Sequence, residues 1–398
     1  MEQYKRTKTI DFSYKICLIM YLFGLPNCWI EDLRLSKRFV KIYGAFTYFC
    51  NLLIFILIFS ELCSYFTQRH LTEKQKSNLL LYAVSHPMLY TFYHVLAYSK
   101  DKVRAAIYNL TVELKRVHND ELVEKQMIRR TVLYLTALNG SCAMAMLLYT
   151  FDSCVDVIRK GTTFTSIITA WPDVNDTSQL ANIGRVVFYV IWWVLVSRIC
   201  CLYILVITLV TGLSHQYINL QSYFYSLGDI FDKKDISQRQ KQSKYEEAFK
   251  VGIEIHSDTL RCTYACQSLC GGVFSGQIIF NILILAVLLA QMVNAERNLV
   301  NLFAAGMTAS SVLIATGLLM WNSGDVTVEA SNLSTAMYFS GWHNCYGESA
   351  VCIRKAVVIA MSHAQRPVIL KGFGIIDLSY QSYIKIVKSS YSVFSVLY

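Results

Sequence analysis

Seven long apolar runs alternate with polar segments along the chain, and each run is long enough to cross a bilayer. A spanning helix needs about 20 mostly apolar residues. The pattern therefore predicts an all-α, polytopic membrane protein with seven transmembrane helices in a single domain, 1–398. The predicted spans are 43–66, 79–98, 131–151, 183–213, 271–293, 299–321 and 375–397.

Lysine and arginine are concentrated in alternate segments between these runs. Segments 1–42, 99–130, 214–270 and 322–374 carry 27 of them, whereas 67–78, 152–182 and 294–298 carry 6. Basic loops stay in the cytoplasm. The charge bias thus predicts an intracellular N-terminus and an extracellular C-terminus, the reverse of a G-protein-coupled receptor.

Composition agrees with a membrane protein that has small loops. The chain has 398 residues, of which 54% are hydrophobic and only 16% are charged, against about 25% charged in a typical soluble domain. The net charge of +10 reflects the orientation bias, so we expect a lipid bilayer and no nucleic acid as partner. The cysteines show neither a disulfide framework nor metal-ligand spacing, and we expect no metal or cofactor.

Three segments on the basic side are predicted to be more than loops. The N-terminal segment 1–42 contains a short apolar run without a cleavage site after it, which favours a surface helix over a signal peptide. Segment 214–270 continues the fourth span and forms an amphipathic helix that runs into the fifth. Segment 322–374 is helical in pattern but carries Arg354 and Lys355, so we assign it to a cytoplasmic anchor packed on 244–264 through Met337, Trp342 and Val357.

The loop 152–182 is the longest predicted external segment. It contains the acceptor triplet Asn175-Asp176-Thr177. Three further triplets, at Asn109, Asn139 and Asn332, are predicted to be cytoplasmic or intramembrane. N-glycosylation requires exposure outside the cell, so we expect a glycan at Asn175 alone.

The seventh span differs from the others because one of its faces is polar from end to end. Lys385, Lys388, Ser392 and Ser395 recur at helical spacing. A polar stripe on a spanning helix faces protein or water, so several copies around an axis are predicted to line a pore. The lysines would face an inner vestibule, and Ser392, Val396 and Leu397 would form a constriction. Bonding to neighbouring helices and snorkelling of the lysines are the alternatives.

The C-terminal third resembles the insect odorant receptors, whereas the first two thirds match them only in span layout and topology. The "L-S…K-S-S-Y-S-x-F" block in the last span is fairly specific to that family. The matching residues are Phe249-Lys250, His256-x3-Leu260, Gly324-Asp325, Glu329-Ala330, Ser340-x-Trp342, Arg366-Pro367-Val368-Ile369-Leu370, Leu378-Ser379 and Ile386 to Phe394.

The resemblance implies a tetrameric, ligand-gated, non-selective cation channel in the plasma membrane of olfactory sensory neuron dendrites. A tuning subunit would assemble there with a shared odorant co-receptor and bind a small volatile odorant. The chain looks like the tuning subunit because the segment between spans four and five, 214–270, lacks the long insertion of the co-receptor.

The resemblance also implies an odorant site in the outer half of the bundle, between spans two and six. Aromatic and methionine side chains offer shape-tolerant apolar contact, although ordinary helix packing explains each of them as well. His86 is the polar candidate, unless backbone near Pro87 satisfies it. The candidates are Tyr82, His86, Tyr90, Met144, Leu148, Phe151, Phe188, Tyr189, Trp192, Phe303 and Met307.

Other classes fit less well. A gustatory receptor shares the architecture, but its last span typically carries "T-Y-x5-Q-F", where this chain has Ser390-Tyr391 and Phe394. A G-protein-coupled receptor conflicts with the charge bias, and a transporter would show paired carboxylates in mid-membrane. No nucleophile–base set indicates an enzyme.

Overall fold

The computed structural model describes residues 6–294, 299–347 and 349–397, with side chains except at 160, 294, 349, 394, 396 and 397. Helices dominate it. Their bounds are α1 Lys8–Leu22, α2 Lys37–Thr67, α3 Glu73–Tyr98, α4 Lys100–Thr111, α5 Glu121–Lys160, α6 Gln179–Ser226, α7 Asp229–Asp232, α8 Gln238–Asn294, α9 Leu299–Tyr338, α10 Ser349–Ala364 and α11 Tyr380–Leu397. Two short strands, β1 Lys371–Gly372 and β2 Ile376–Asp377, pair antiparallel.

Each predicted span lies in a different helix: α2, α3, α5, α6, α8, α9 and α11. Five of these, α2, α5, α6, α8 and α9, are long and apolar enough to cross a membrane by length and composition among the described residues. The other two, α3 and α11, carry more polar side chains. The fold is therefore all-α, as predicted.

Several helices begin well before their apolar spans, at capping side chains. Thr72 and Gln75 form a reciprocal capping box at the start of α3, and Asp120 accepts from two backbone N–H groups at the start of α5. These caps satisfy donors that a helix end leaves unpaired. The predicted continuation of span four is confirmed, since α6 runs to Ser226, and α8 is continuous from Gln238 into span five.

The long helices form two large hydrophobic cores, and a small third cluster joins Leu79 and Ala83 to Ile168 and Val174. One core lies within the bundle, and α6 is buried through most of its length there. The second core, which we call the anchor core, joins the projecting parts of α6, α8 and α9 to α10. Met337 and Val357 are fully buried against Tyr245 and Phe249, with Trp342 partly buried beside them. The predicted packing of this region is confirmed.

The predicted start of the seventh span at residue 375 is wrong by five residues. Residues 371–377 form the β-hairpin, with Phe373 and Gly374 in the left-handed region at φ 53° and 71°. Gln267 on α8 holds β1 in place, donating to the Lys371 carbonyl at 2.8 Å and accepting from its N–H at 2.7 Å. The apolar run therefore covers a turn as well as the helix, which begins at Tyr380.

The N-terminal helix is longer than the apolar run that predicted it, and it packs on the bundle. Cys17 and Met20 are buried against it. Lys115 donates to Thr9 at 2.9 Å, and the Thr9 hydroxyl donates to Glu124 at 2.8 Å. Burial lowers the pKa of Lys115 to about 8. A buried polar cluster therefore joins α1 to the start of α5.

We call the end of the bundle that carries residues 161–178 the outer end, following the orientation that charge predicts. This loop is held down by side chains from the helices below it. Gln68 donates to the carbonyls of Thr169 and Pro172 at 2.8 and 2.9 Å, and Lys74 pairs with Asp152 and Asp156 at 2.6 Å each. The outer end is thus covered by an ordered segment.

Candidate functional site

A cavity of about 150 Å³ lies inside the bundle, towards its outer end. Five helices surround it, and each of them holds one of the predicted spans two to six. Its walls are mostly apolar, with several polar atoms among them. The lining residues are Leu81, Tyr82, Ser85, His86 and Leu89 on α3, Leu138, Cys142, Ala145, Met146 and Tyr149 on α5, Trp192, Val196, Ile199, Cys200 and Tyr203 on α6, Phe280 and Ile284 on α8, and Thr308, Ser311, Val312 and Ala315 on α9.

A second cavity, beneath α1, measures about 30 Å³. A water molecule occupies about 30 Å³ in the liquid, although its centre needs less room. This space is therefore too small for an organic ligand. The larger cavity is the better candidate for a binding site.

A buried hydrogen-bond chain closes one side of the larger cavity. Nδ1 of His86 lies 2.9 Å from both carboxylate oxygens of Glu61 on α2, and Nε2 accepts from Nε1–H of Trp192 at 3.2 Å. The indole can only donate, so Nε2 must be the acceptor and Nδ1 must carry the proton towards Glu61. The three side chains are almost completely buried, and they join α2, α3 and α6.

This arrangement differs from the expected role of His86. Both ring nitrogens already have partners from other helices, so neither the backbone near Pro87 nor a ligand is needed to satisfy them. Glu61, which is fully buried on α2, was not among the predicted site residues. A carboxylate inside a span needs a partner, and that requirement is the sequence signal that could have found the pairing of Glu61 with His86.

Three of the eleven candidate ligand residues line the cavity: Tyr82, His86 and Trp192. Tyr82 stacks on His86, with ring centroids 5.1 Å apart, and meets Trp192 at 5.7 Å. The structure brings these three aromatic side chains together from α3 and α6. The remaining eight candidates lie outside the lining: Tyr90, Met144, Leu148, Phe151, Phe188, Tyr189, Phe303 and Met307.

Several of those eight lie on the neighbouring face of the correct helix. On α5, Met144 and Phe151 point away from the core, with 49% and 57% of their surface exposed, and the cavity is lined by Ala145 and Tyr149 instead. On α9, Phe303 is 65% exposed. Adjacent helical positions differ by about 100° in direction, so Met144 misses the cavity by one position, whereas Phe151 and Phe303 lie two and five positions from the nearest lining residue of their helices.

Others are engaged in packing. The Tyr90 hydroxyl donates to the Asn51 carbonyl at 3.1 Å, and the hydroxyls of Tyr189 and Thr150 lie 2.8 Å apart. Leu148 and Phe188 pack against the bundle core. These side chains pack within the bundle and do not line the cavity.

Most polar side chains in the cavity wall have partners. Thr308 and Ser311 each donate to a carbonyl of their own helix at 2.9 Å, as spanning hydroxyl residues commonly do. Ser85 bonds weakly to the Tyr82 carbonyl at 3.5 Å. The hydroxyls of Tyr82 and Tyr149 are buried and have no hydrogen-bond partner among the described residues. Tyr149 was not predicted from the sequence.

A second polar chain leads from the cavity to the last helix. The Tyr203 hydroxyl donates to Gln277 on α8. Gln277 and Asn281 both donate to the Thr316 hydroxyl on α9, at 2.8 and 2.6 Å. Ser390 on α11 donates to Asn281 at 3.5 Å. All five side chains are buried, so α6, α8, α9 and α11 share one continuous network.

The polar stripe of α11 faces away from the bundle. Ile386 and Ser390 are buried against α8 and α9, whereas Lys385, Lys388, Ser392 and Ser395 are all exposed. Ser392 and Ser395 donate to carbonyls of their own helix. The predicted constriction residues Val396 and Leu397 have side chains outside the described part of the chain.

The first turn of α11 is bonded to the bundle through Asp325 on α9. Its carboxylate accepts from the hydroxyl of Tyr380 and pairs with Arg130 on α5. The Arg130 Nε also donates to Tyr134 at 2.6 Å. The helix that carries Tyr149 is thereby linked to the start of α11.

In the anchor core, His256 is buried within α8. Burial, with a smaller contribution from the nearby charge of His363, lowers the pKa of His256 to about 4. Tyr245 and Ser340 share a hydrogen bond of 2.5 Å in the same core. The neutral imidazole is therefore the form that this packing favours.

Asn175 is exposed in the outer loop, as a glycan acceptor requires. Its N–H donates to Asp173 at 2.9 Å. Of the other triplets, Asn139 lies in the apolar part of α5 and donates to the Leu135 carbonyl at 2.7 Å. Glycosylation of Asn175 therefore stays a prediction, and the exposure of this residue is compatible with it.

Comparison with known proteins identifies a protein family and similar solved structures. The family model described as 7tm Odorant receptor matches residues 78–391. The structure of the insect olfactory receptor OR5 from Machilis hrabei in complex with eugenol aligns with a TM-score of 0.78 at 14% identity, over 98% of this chain and 99% of that chain. A second structure of OR5 from Machilis hrabei has a TM-score of 0.77 at 13% identity, covering 97% of each chain. No curated protein matches the chain by sequence. At such identities the structural likeness shows a shared fold.

Proposed function

The chain belongs to the 7tm Odorant receptor family, and we propose that it is the odorant-binding tuning subunit of a heteromeric, ligand-gated, non-selective cation channel. Its partners are a small volatile odorant and the shared odorant co-receptor. The assembly would lie in the plasma membrane of olfactory sensory neuron dendrites. The odorant receptor fold and the long apolar helices make the chain a multi-pass membrane protein.

The observation that carries the proposal is the cavity between the five helices of predicted spans two to six. Small-molecule sites are concave, mostly apolar and equipped with a few placed polar groups, and this cavity has all three properties. The structural neighbour OR5 from Machilis hrabei was determined with eugenol. That likeness supports a small organic ligand here.

The exposed polar stripe of α11 supports the pore. A lysine in a spanning helix is costly unless it faces water or protein, and Lys385 and Lys388 are exposed in the isolated subunit. One helix cannot enclose an aqueous path, so several subunits must bring their α11 helices together. Rings of lysine repel cations at close range, which requires a wide vestibule at this level.

Gating would follow from unequal affinity of the odorant for closed and open arrangements. A ligand that binds both states equally shifts no population. The network from Tyr203 to Ser390 supplies a physical connection between the cavity and α11. Occupancy next to Tyr203 would change the relative stability of two positions of α11.

The proposed orientation places the N-terminus and the anchor core in the cytoplasm and the 161–178 loop outside. The charge bias of the loops supports it. An epitope tag after Tyr398 should react with antibody on intact cells, whereas a tag before Met1 should require permeabilisation. The reverse pattern would contradict both the orientation and the assignment of Asn175.

The function is tested by expressing the full chain with and without the odorant co-receptor and recording current during an odorant panel. We expect inward cation current that requires both subunits and at least one odorant. Second-messenger inhibitors should leave it unchanged. Current that persists without any co-receptor would contradict the proposed role as a tuning subunit. A response abolished by G-protein inhibition would contradict the proposed ligand-gated channel.

A further inference from the structure

The loop at the outer end of the bundle lies over the ligand cavity. It contacts three helices, α3, α5 and α6, and each contact is about one helical turn outward of a residue that lines the cavity. The contacts are Ile168 with Leu79, Ser166 with Ser153 at 3.0 Å, and Phe164 with Tyr189 at a ring distance of 5.4 Å. The lining residues one turn below are Tyr82, Tyr149 and Trp192. The loop therefore forms the outer roof of the cavity.

One part of this roof, residues 169–176, is clamped to the helices through its backbone. The Ala170 N–H donates to the Ser60 carbonyl at 2.9 Å, and the Val174 N–H donates to Gln68 at 3.2 Å. Arg185 donates to the carbonyls of residues 173 and 176 at 2.7 and 2.5 Å. We call this part the clamped segment.

The neighbouring residues 164–168 are held mainly by side chains. Among the described residues, none of their backbone N–H groups donates to another backbone group. The Ser166 hydroxyl donates to Ser153, which in turn donates weakly to the Thr165 carbonyl at 3.4 Å. Ile167 is 7% exposed and packs into the core of the bundle. A segment with few backbone hydrogen bonds opens at lower cost than its surroundings.

We propose that residues 164–168 form a lid, which opens to let a ligand enter and leave the cavity from the outer side. Ser166 latches the lid to Ser153, and Ile167 closes it. This inference rests on the proposed ligand site and orientation. The two ends of the lid stay in place, because Thr163 donates to the carbonyl of residue 174 at 2.5 Å and the Thr169 carbonyl accepts from Gln68 at 2.8 Å.

The closed lid is the stable state for two reasons. Opening breaks the hydroxyl bond between Ser166 and Ser153, and it exposes the buried side chain of Ile167 to water, which is unfavourable. Opening leaves the clamped segment and the helices unchanged. The lid therefore controls the rate of ligand exchange, whereas the cavity wall controls affinity.

Two thiols already present in the cavity report access to it. Cys142 and Cys200 line the cavity and are neither fully buried nor fully exposed. Iodoacetamide, a small neutral alkylating reagent, is applied outside cells that express the full chain with the co-receptor. Mass spectrometry of the peptides that contain the two cysteines gives the rate of labelling, and no odorant is needed.

A crosslink should lock the lid. Ser153→Cys with Ser166→Cys places two thiols where the hydroxyl oxygens lie 3.0 Å apart, and peptide masses identify the protein in which oxidation has joined them. We expect labelling of Cys142 and Cys200 in the crosslinked protein to be at least about tenfold slower than in the unaltered chain treated with the same oxidant.

The matched control crosslinks the clamped segment. In Ser60→Cys with Ala170→Cys, the new thiols replace a pair in which the Ala170 N–H lies 3.0 Å from the Ser60 hydroxyl. This crosslink should leave the labelling rate unchanged, because the lid opens while the clamped segment stays in place.

A variant without a crosslink tests the lid independently. Ile167→Ala removes the side chain that closes the roof, and we expect labelling to be about threefold faster because the open lid is more populated. Val174→Ala is the control, since this side chain is equally buried, at 7% exposure, in the clamped segment. It should label at the rate of the unaltered chain.

Equal labelling rates in the lid-crosslinked and unaltered chains would overturn the inference and indicate that small molecules reach the cavity from the lipid, between the helices. Unchanged labelling in Ile167→Ala, or equal slowing by the control crosslink, would also overturn it. Failure of the proposed function is a separate result. It would appear as lid-dependent labelling in a chain that gives no odorant-evoked current.

Discussion

The hydroxyl of Tyr203, which lines the cavity, donates to the side-chain carbonyl of Gln277 on α8. From Gln277 the chain of bonds continues through Thr316 and Asn281 to Ser390 on the buried face of α11. Coupling between two sites requires an element that both can bias. The helix α11 meets that requirement in the proposed channel. Its buried face is bonded to the network from the cavity, and its opposite face carries the polar stripe of the proposed pore.

Asn281→Leu should weaken the coupling of the cavity to α11. Thr316 and Ser390 would keep bonds to carbonyls of their own helices, so folding should survive. We expect the odorant concentration for half-maximal current to rise about tenfold, while the dissociation constant measured by unfolding changes less than twofold. Dose–response currents and ligand-dependent unfolding midpoints measure the two quantities.

Asn139→Leu is the matched control, because the Asn139 amide donates to its own helix on α5. It should leave both quantities unchanged. A parallel change of binding and activation in Asn281→Leu would mean that the residue shapes the cavity rather than the coupling.

The pair Glu61–His86 should stabilise the bundle as a unit. Glu61→Leu leaves the Nδ1–H of His86 buried without an acceptor, and we expect a loss of about 2 kcal/mol in stability. Adding His86→Phe removes the Nδ1–H donor that Glu61→Leu leaves without an acceptor. The double variant should recover part of the lost stability, because an apolar replacement of a buried polar pair is often tolerated. Unfolding midpoints of the two single variants and the double variant give the coupling energy. Additive effects would show that the two side chains act independently.

Charge reversal on the exposed stripe of α11 should change ion permeation. Lys388→Glu places a carboxylate where the proposed pore carries a lysine, and we expect an increase of severalfold in the permeability ratio of Ca²⁺ to Na⁺. Reversal potentials in bi-ionic solutions measure it. Lys355→Glu, on an exposed face of α10, is the control and should leave the ratio unchanged. If Lys388→Glu leaves the permeability ratio of Ca²⁺ to Na⁺ unchanged, the exposed face of α11 does not line the ion path.

The anchor core should lose stability in mild acid through His256. Its folded pKa of about 4 lies below the ordinary 6.5 because of burial, so the unfolded chain binds more protons between these two values. Stability therefore rises with pH across this window and is lost as pH falls through it, by about 2 kcal/mol at pH 5. Unfolding midpoints from pH 7 to 5 should fall less steeply in His256→Gln than in the unaltered chain.

His70→Gln, which changes an exposed loop histidine, should keep the original slope. If the unfolding midpoint changes equally with pH in His256→Gln and in the unaltered chain, groups other than His256 cause the acid sensitivity.

Hydrophobic run lengths were enough to predict the all-α, multi-span fold, and five of the seven predicted spans lie in helices long and apolar enough to cross a membrane among the described residues. The amphipathic pattern of 244–264 predicted the packing of the anchor core. Residue spacing also identified the polar stripe on α11, because lysine and serine at helical spacing stand out against apolar neighbours. The last-span motif predicted the family that the comparisons confirm. These features depend on the order of neighbouring residues, which can be read directly from the amino-acid sequence.

Only the tertiary structure decided which face of each span borders the cavity. In lipid, the face towards the membrane is as apolar as the face towards the core, so hydrophobic periodicity does not distinguish Leu148 from Tyr149 or Phe303 from Thr308. The partnership of Glu61 with His86 likewise needs two helices to meet at a given rotation. Composition determined that the chain forms several long apolar helices, and only the packing of these helices against one another determined which side chains border the cavity.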